Sequence, residues 1–254
     1  MTYSLRLSDR SIPLDPASVP QRRAGGLGVK VTDEEVFEVL ETAVANPDDL
    51  RILVAVDGRA ARSTSDRQTT PLAATLVISK DERAFDVLAL TRAGRAIRVP
   101  VRQVGPRLAR LIKLAQGDLV VAALLVPNRT DAPVCREPRG TEGSIVSVQV
   151  DHPPPPYLVA IANTSGGANV FDAARVGRQH RGATGRQVGP EGVYFAVGYP
   201  SDTDVAMVTA AGQVLRPHGS DIRRNYSARR HWSSVMRLRE GDRVVGICVL
   251  SSEF

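Results

Sequence analysis

The chain has 254 residues, of which 43% are hydrophobic and 4% aromatic, and it carries a formal net charge of +6. This length allows one large β domain or two small ones. Two cysteines are too few for a disulfide framework and fit a reducing cytoplasm. The N-terminus lacks the apolar core of a secretory signal, and no apolar run approaches the length of about 18 residues that a transmembrane helix needs.

Two basic stretches rich in glycine stand apart from the rest of the chain, QRRAGGLGVK at 21–30 and RQHRGATGRQ at 178–187. Glycine makes both poor helix formers, and 178–187 has no apolar residue larger than alanine, which excludes a core strand. In such a loop the backbone amides can approach a phosphate because no Cβ intervenes, and flanking arginines add charge-assisted contacts. The sequence leaves open whether these are two different loops or one loop used twice.

Residues 32–49 have a helical pattern. The apolar residues from Val36 to Val44 recur at i, i+3, i+4, i+7 and i+8, and Thr32 with Glu35 makes a capping box. The segment holds seven acidic residues and no basic ones, so the other residues of the chain sum to +13. We therefore predict an exposed acidic α-helix inserted into a β fold, and we expect it to lie away from any DNA because carboxylates repel phosphates.

Most of the remaining chain is typical of short strands. The apolar runs are rich in Val and Ile and are bounded by Gly, Asp, Pro or Asn. Several are apolar throughout, as in a sheet covered on both faces. The stretch 107–114 could be helical, but its place in the repeat described next favours a loop that enters a strand. The runs predicted as strands are 52–56, 74–79, 85–90, 118–126, 144–150, 157–162, 192–198, 204–209 and 242–250.

Two long segments share one sequence frame. ALTRAGRAIRVP at 89–100, followed by LIKLAQGDLVVAALLV at 111–126, aligns with MVTAAGQVLRPH at 207–218, followed by VMRLREGDRVVGICVL at 235–250. The frame Thr-x-Ala-Gly-x-x-(Ile/Leu)-Arg predicts a strand, a tight hairpin at Ala-Gly and a second strand. The second half, (Ile/Met)-(Lys/Arg)-Leu-x-x-Gly-Asp-x-Val-Val, predicts a third strand, a Gly-Asp turn and a fourth strand.

Repeated units of four strands predict a propeller-like architecture, because one unit cannot cover its own faces. Partial copies of the frame occur at 55–62 and 6–14, and the polar stretch 127–143 and the prolines at 152–156 are expected to link units. We predict a single domain over 1–254, with about five units that start near residues 1, 51, 85, 144 and 191.

The repeated frame resembles the C-terminal domain of the A subunit of bacterial type IIA topoisomerases, gyrase and topoisomerase IV. The resemblance covers nearly the whole chain and is strongest at 85–126 and 204–250. It implies an all-β fold, the β-pinwheel, in which about five four-stranded blades form a disc and exchange strands with their neighbours, here with the helix at 32–49 inserted. It also implies that the disc binds and bends duplex DNA around a basic rim.

That family carries a seven-residue element, the gyrase box Q-R-R-G-G-K-G, which is linked to chiral wrapping of DNA. Gln179, Arg181, Gly182 and Gly185 match four of its positions, and residues 21–23 match three, but an extra residue there shifts the following glycines. Neither stretch is a full box, so wrapping and simple bending both remain open.

The resemblance places the DNA-binding residues in the basic loops, which include the loop at 101–110 and a second basic cluster that ends near Trp232. The residues predicted to bind DNA are Gln21, Arg22, Arg23, Lys30, Arg102, Arg107, Arg110, Arg178, Gln179, His180, Arg181, Gly182, Arg186, Arg223, Arg224, Arg229 and Arg230.

The predicted function is non-specific binding and bending or wrapping of duplex DNA in support of strand passage by a topoisomerase. The domain would have no enzymatic activity of its own, would act with a cleavage core upstream in the same chain or in trans, and would lie in the cytoplasm on the nucleoid. The alternative is a β-repeat scaffold that binds protein, through the acidic segment, or a modulator of gyrase without strong DNA binding. A gyrase-like and a topoisomerase IV-like parent both remain open.

The chain lacks the motifs of nucleotide, metal and nucleophilic chemistry. It contains no G-x-x-x-x-G-K-[ST] loop, no H-E-x-x-H or paired C-x-x-C, and no G-x-S-x-G elbow. His180, His218, His231 and Cys248 lie in one half of the chain without the spacing of metal ligands. We therefore expect no catalytic residue, no cofactor, no metal and no membrane partner.

Overall fold

The computed structural model describes residues 2–42, 49–63, 70–78, 82–128, 156–200, 203–217, 222 and 231–250. This part of the chain is all-β, and none of it is α-helical. The predicted run at 144–150 and most of the predicted linkers lie outside the described residues. Each of the other eight predicted runs overlaps a strand. Short 3₁₀ turns lie at Pro16–Ser18, Glu82–Ala84, Val101–Gln103 and Ala173–Arg175.

The strands form five mostly antiparallel sheets. The strands are β1 (Thr2–Arg6), β2 (Ser11–Pro13), β3 (Gln21–Arg22), β4 (Val29–Lys30), β5 (Glu38–Thr42), β6 (Leu50–Ala55), β7 (Arg59–Ser63), β8 (Leu72–Ile78), β9 (Phe85–Thr91), β10 (Arg95–Pro100), β11 (Ala109–Arg110), β12 (Val120–Pro127), β13 (Tyr157–Ala162), β14 (Gly167–Asp172), β15 (Arg186–Gln187), β16 (Phe195–Pro200), β17 (Asp204–Thr209), β18 (Gln213–Pro217), β19 (Ser233–Ser234) and β20 (Val244–Leu250). Sheet A has the order β2-β1-β5, sheet B β11-β7-β6-β8, sheet C β15-β10-β9-β12, sheet D β19-β14-β13-β16 and sheet E β3-β18-β17-β20, with β4 also paired to β18.

Sheets B to E each take their outermost strand from another unit. β11 belongs in sequence to the unit of sheet C but pairs with β7 of sheet B, and β15 and β19 repeat this step from D to C and from E to D. β3 and β4 of the first unit pair with β18 of the last unit, which joins the two ends of the chain. We call residues 14–37, 101–119, 173–194 and 231–243 the exchange segments A, C, D and E.

The number of strands differs between sheets. Four strands, as predicted, are present in sheets B, C and D. Sheet E has five strands because β3 and β4 of exchange segment A both pair with β18. Sheet A has three strands among the described residues. The five blades expected from the resemblance are thus present, with unequal strand counts.

The last strand of each unit faces the centre of the ring. β5, β8, β12, β16 and β20 line a central cavity of about 710 Å³. The exchange strands therefore lie at the opposite, outer edge of each sheet. Clusters of buried Val, Leu, Ile and Ala fill the seams between sheets B and C, C and D, D and E, and E and A. Because both faces of a sheet are covered, every residue of β9 after Phe85 is buried, as the continuous apolar runs predicted.

The two copies of the repeat frame make the same hairpin. Gly94 and Gly212 lie at the hairpin tips with φ of 75° and 73°. Their amides donate to the carbonyls of Thr91 and Thr209 at 3.0 Å. Glycine is required at the tip because it adopts positive φ without a steric penalty. The predicted hairpins are confirmed.

The Gly-Asp turns of the two copies also match. Gly117 and Gly241 both have φ of 78°. In each turn, Oδ1 of the following aspartate, Asp118 or Asp242, accepts one hydrogen bond from the next amide and one from an amide of the hairpin, at 2.8–3.0 Å. The aspartate thus ties the third-strand turn to the first hairpin, which explains why Gly-Asp and Ala-Gly recur together.

Replacing Gly94 by alanine is expected to destabilise the fold more than replacing Gly117. Both substitutions force a Cβ into the left-handed region, at a cost of about 1–2 kcal/mol. At Gly94 the Cβ would also overlap the carbonyl oxygens of Gly189 and Pro190 from exchange segment D, whereas nothing lies within 4 Å at Gly117. We expect Gly94→Ala to lower the free energy of unfolding by about 3 kcal/mol, roughly 2 more than Gly117→Ala. Urea denaturation measures both, and equal losses would contradict the close approach.

The predicted helix at 32–49 is wrong over the described residues. Glu38–Thr42 form β5, and all five residues pair with β1. Residues 43–48 lie outside the described part of the chain. A helix here would leave the inner edge of β1 unpaired, and pairing with that edge outweighs the helical periodicity.

The residues before β5 that suggested a helix make other contacts in the structure. Thr32 Oγ1 accepts the amide of Glu34 at 3.1 Å, which is a local turn and not a helix cap. The Val36 amide donates to the carbonyl of Ala210 in sheet E at 2.8 Å, and its side chain is fully buried in the seam between sheets E and A. The segment is therefore part of the ring and not an external insertion.

Candidate nucleic-acid interface

The loop at 178–187 lies on the outer edge of the ring and is joined to exchange segment C. The Gly182 amide donates to the carbonyl of Leu111 at 2.7 Å, and the Lys113 amide donates to the carbonyl of Ala183 at 2.8 Å. These two bonds fix the glycine-rich turn of one unit on the exchange segment of the unit before it.

The loop at 21–30 repeats this arrangement on exchange segment E. The Gly25 amide donates to the carbonyl of Val235, and the Arg237 amide donates to the carbonyl of Gly26 at 2.9 Å. Gly25 is therefore the structural equivalent of Gly182, because both donate to the segment below through the same position of the repeat.

Strand pairing extends this equivalence over both loops. Arg186 and Gln187 pair with the first two residues of β10, and Val29 and Lys30 pair with the first two residues of β18. When Gln187 is aligned with Lys30, the ten residues 178–187 align with residues 21–30 without a gap. The two stretches are thus one loop used twice.

This alignment resolves the displaced glycines of the sequence comparison. Gly28 coincides with Gly185, and a Cβ on either would lie 2.8–3.0 Å from a backbone carbonyl oxygen of the underlying strand. Gln21 then coincides with Arg178 and not with Gln179. The Q-R-R of residues 21–23 is therefore one position out of register with Gln179, although the glycines superpose.

A buried carboxylate lies behind the loop at 178–187. Asp86, in the first strand of sheet C, is fully buried. It accepts a hydrogen bond from Arg98 Nε at 2.7 Å. It also accepts two from Arg178, at 3.0 Å each. One carboxylate therefore holds two guanidinium groups, and the Arg178 side chain is only 30% exposed.

The loop at 21–30 has an equivalent carboxylate with a different set of partners. Asp204, in the first strand of sheet E, accepts a hydrogen bond from Arg216 Nε at 2.9 Å and one from Gln21 Nε2 at 2.6 Å. The neutral amide of Gln21 thus occupies the place that Arg178 has in the other loop.

The arginine of the repeat frame also points inward. In three units its guanidinium donates to the carbonyl of the first residue of a 3₁₀ turn in the next exchange segment. The pairs are Arg62 with Val101 at 3.1 Å, Arg98 with Ala173 at 3.2 Å and Arg216 with Pro16 at 3.3 Å. These arginines join neighbouring units and are not part of the solvent-facing edge.

Most of the other predicted residues are exposed on exchange segments A, C and D. Gln179 and Gly182 are half-buried, and the basic cluster at 223–230 lies outside the described residues, which leaves Arg223, Arg224, Arg229 and Arg230 without a description. The exposed residues are Gln21, Arg22, Arg23, Lys30, Arg102, Arg107, Arg110, His180, Arg181 and Arg186.

Exchange segments C and D bring their cations together. Arg181 Nη1 donates to the carbonyl of Gln103 at 3.2 Å. The Arg110 side chain passes beside Gly182, with its Cδ 3.9 Å from the position that a Cβ there would take. Arg186 in β15 lies on the same loop, with its Nη1 3.8 Å from the position that a Cβ on Gly177 would take. We call these three exposed arginines of two adjacent units the C–D patch. None of the three forms an ion pair with a carboxylate of the described residues.

Lys113 and Arg237 are exposed cations that the sequence analysis did not assign to the interface. Their amides make the equivalent bonds to the two glycine-rich loops, so both side chains start at the junction of two exchange segments. The sequence does mark both residues, because they occupy the Lys/Arg position of the repeat frame (Ile/Met)-(Lys/Arg)-Leu.

The acidic segment balances cations close to it. Lys30 Nζ lies 2.8 Å from Asp33 Oδ1. The hydrogen bond and the charge of Lys30 lower the pKa of the Asp33 carboxyl. Lys30 is therefore a weaker candidate for phosphate contact than its neighbours. Carboxylates of 34–38 pair with other arginines, as Glu34 with Arg10, Glu35 with Arg243 at 3.9 Å and Glu38 with Arg6 at 3.4 Å.

A ring of blades that exchange their outermost strands defines a β-pinwheel. Residues 86–127 and 233–249 match the family described as DNA gyrase C-terminal domain, beta-propeller. These two ranges contain parts of the two copies of the repeat frame. No curated protein matches the chain in sequence.

Solved structures with this fold cover nearly the whole chain. The structure of a DNA gyrase A C-terminal domain superposes with a TM-score of 0.52 and 16% identity over 98% of this chain and 99% of that one. The C-terminal domain of a DNA topoisomerase IV gives 0.58 and 11% over 99% and 79%. The C-terminal domain of E. coli ParC gives 0.50 and 12% over 98% of both chains. The predicted resemblance to the C-terminal β-pinwheels of gyrase A and topoisomerase IV is confirmed.

Two further features bear on the class of site. None of the described helical turns is long and apolar enough to span a membrane. Within the described ranges, no three His, Cys, Asp or Glu side chains are grouped so that they could hold a metal ion.

Proposed function

We propose that this pinwheel binds duplex DNA without sequence specificity along its outer edge and bends it. The observation that carries the proposal is the C–D patch, in which two adjacent units present arginines that form no ion pair with a carboxylate of the described residues. Arg22, Arg23 and Arg237 provide a second such stretch where exchange segments A and E meet. Contacts of this kind neutralise phosphates and position a duplex, but they carry no sequence code.

The ring geometry supports bending as well as binding. Bending a duplex of 20–30 base pairs costs on the order of 1–6 kcal/mol. One loop could not easily offset that cost, but the same loop used twice, with cationic segments between, offers contacts spaced along a curved path. We therefore propose that Arg22, Arg23, Arg102, Arg107, Arg110, His180, Arg181 and Arg186 face the DNA, with Lys30 as a weaker contact.

We further propose that the domain acts as an accessory part of a type IIA topoisomerase. Its DNA partner is inferred from the family to which it is similar. A cleavage core, in the same chain or in trans, would carry out strand passage, and the protein would act in the cytoplasm on the nucleoid. The proposed role needs no cofactor and no catalytic residue of this domain.

The affinity for 30-base-pair duplexes at several salt concentrations tests the proposal. Each phosphate contact contributes about −0.9 to the slope of log K against log salt. We expect a slope of about −4 or steeper, and affinities for duplexes of unrelated sequence that agree within about tenfold. Energy transfer between dyes at the two duplex ends is expected to rise on binding, as the ends approach.

The alternative, a scaffold that binds protein or a modulator of gyrase, predicts little DNA binding at any salt concentration. A flat slope and unchanged energy transfer would favour it. That alternative relied on the acidic segment, whose Glu34, Glu35 and Glu38 are engaged with the chain's own arginines. The structure therefore leaves it with less support than the basic edge gives to DNA binding.

A further inference from the structure

We propose that Asp86 and Asp204 are positioning residues that hold the two glycine-rich loops in place for DNA, and that Arg178 belongs to this internal anchor. The proposal rests on the proposed function, but its first measurement needs no DNA. The two carboxylates lie inside the sheets and hold the loops from there. Arg178 then supports the residues that contact phosphate and does not contact phosphate itself.

The geometry at Asp86 supports an anchor. The carboxylate is fully buried, and the guanidinium of Arg178 donates two bonds to it from the first residue of the loop. The backbone follows the side chain, because the Gln179 amide donates to the carbonyl of Arg98 at 2.9 Å. A guanidinium that makes two charge-assisted bonds to a buried carboxylate is held more firmly than one that makes none.

The far end of the loop is held by other bonds. Arg186 pairs in register with Ala96, and the Gly182 amide donates to exchange segment C. The Asp86 anchor therefore fixes the beginning, the middle is fixed on the neighbouring segment, and β15 fixes the end. Between these three points, the exposed side chains of His180 and Arg181 have a fixed starting position, which reduces the entropy lost when they contact phosphate.

The second loop has the same anchor with less charge. Gln21 donates a single bond from an uncharged amide to the Asp204 carboxylate, whereas Arg178 donates two bonds from a charged guanidinium to Asp86. A guanidinium that donates two bonds to one carboxylate adds energy and fixes the geometry more closely than a single bond from an uncharged amide. We infer that the loop at 178–187 is the more rigid of the two and contributes more to bending, while the loop at 21–30 adapts to the duplex.

Two reciprocal substitutions at the anchor residues Arg178 and Gln21 test the proposal. Arg178→Gln gives the Asp86 anchor the composition of the Asp204 anchor, and Gln21→Arg does the reverse. Arg181→Gln is the control, because it makes the same chemical change three residues away, on an exposed side chain that donates to the Gln103 carbonyl and to no carboxylate of the described residues. Arg98 keeps its partner Asp86 in all three variants, so no buried charge is left alone.

Amide hydrogen exchange without DNA is the first measurement. We expect Arg178→Gln to speed exchange at Gly182 and Lys113 roughly tenfold, the change expected when one charge-assisted bond is weakened. Arg181→Gln should leave these rates within about twofold. Gln21→Arg should slow exchange at Gly25 and Arg237. If Arg178→Gln does not fold, the Gln21→Arg result decides, and unchanged rates there would overturn the proposal.

DNA binding separates an anchor from a phosphate contact. We expect Arg178→Gln to keep the salt slope of the parent chain and to reduce bending. Arg181→Gln should instead make the slope shallower by about 0.9, because one phosphate contact is lost. A slope reduced by Arg178→Gln, with exchange unchanged, would show that Arg178 contacts phosphate and would refute the anchor. If the parent chain does not bind DNA, the proposed function fails, while the exchange rates still support or refute the anchor.

Discussion

Replacing Asp86 by alanine is expected to lower the free energy of unfolding by about 3–5 kcal/mol, the largest single-residue effect that we predict. Removal of one partner from a buried ion pair leaves the other charge uncompensated. Here two arginines would lose their counter-ion, and the side chain of Arg98 is only 8% exposed. Urea denaturation followed by far-UV circular dichroism measures the loss, and the midpoint of thermal unfolding should fall by roughly 10 °C.

Asp204→Ala is the matched control for this prediction. It removes the equivalent carboxylate, but only one charged partner, Arg216, is affected, and that side chain is 13% exposed. We expect a loss of about half that of Asp86→Ala or less, because a less buried charge recovers more hydration. A loss at Asp204 as large as that at Asp86 would show that the second guanidinium, Arg178, adds nothing to the cost.

Removing the C–D patch is expected to have the largest effect on DNA binding. In the variant with Arg110, Arg181 and Arg186 all changed to alanine, the magnitude of the salt slope should decrease by about 2.7, since each lost phosphate contact removes about 0.9. At 0.1 M salt this corresponds to a loss of affinity of up to roughly 500-fold if the non-electrostatic part is unchanged. Bending should decrease too, because the duplex loses its attachment to two adjacent units.

The control for this variant removes the same charge from arginines that are already paired. Arg6, Arg10 and Arg243 each form an ion pair with a glutamate of the acidic segment. Changing all three to alanine lowers the net charge equally. We expect the salt slope to change by less than about 1, because these cations are not free to neutralise phosphate. Equal effects of the two triple variants would mean that net charge, and not the edge, determines affinity.

The sequence predicted the strands well because short continuous runs of Val and Ile strongly favour β-strands. It also predicted the hairpins at Gly94 and Gly212, whose positive φ restricts the choice of residue. The helix at 32–49 was wrong for a physical reason. Its periodicity is a local signal, and the competing partner, the open inner edge of β1, becomes available only when the chain is folded.

The candidate site was predicted less completely than the fold. The basic loops were found because glycine and arginine are conspicuous together, and their exposure agrees with that prediction at Arg22, Arg23 and Arg181. Arg178 looked like its neighbours in the sequence, since nothing local shows that its guanidinium reaches a carboxylate 92 residues away. Lys113 and Arg237 were overlooked because a single cation in an otherwise apolar frame gives a weak signal.

The sequence by itself determined the repeat, its turns and the presence of two similar basic loops. Each of these follows from the requirements of a few neighbouring residues, such as the positive φ that only glycine adopts without a steric penalty at the hairpin tips Gly94 and Gly212. Only the tertiary structure decided that the two loops are one element used twice and that Gln21 corresponds to Arg178. The reason is strand exchange, because each loop lies on a neighbouring unit of the ring, and its register is set by bonds to residues far away in the sequence.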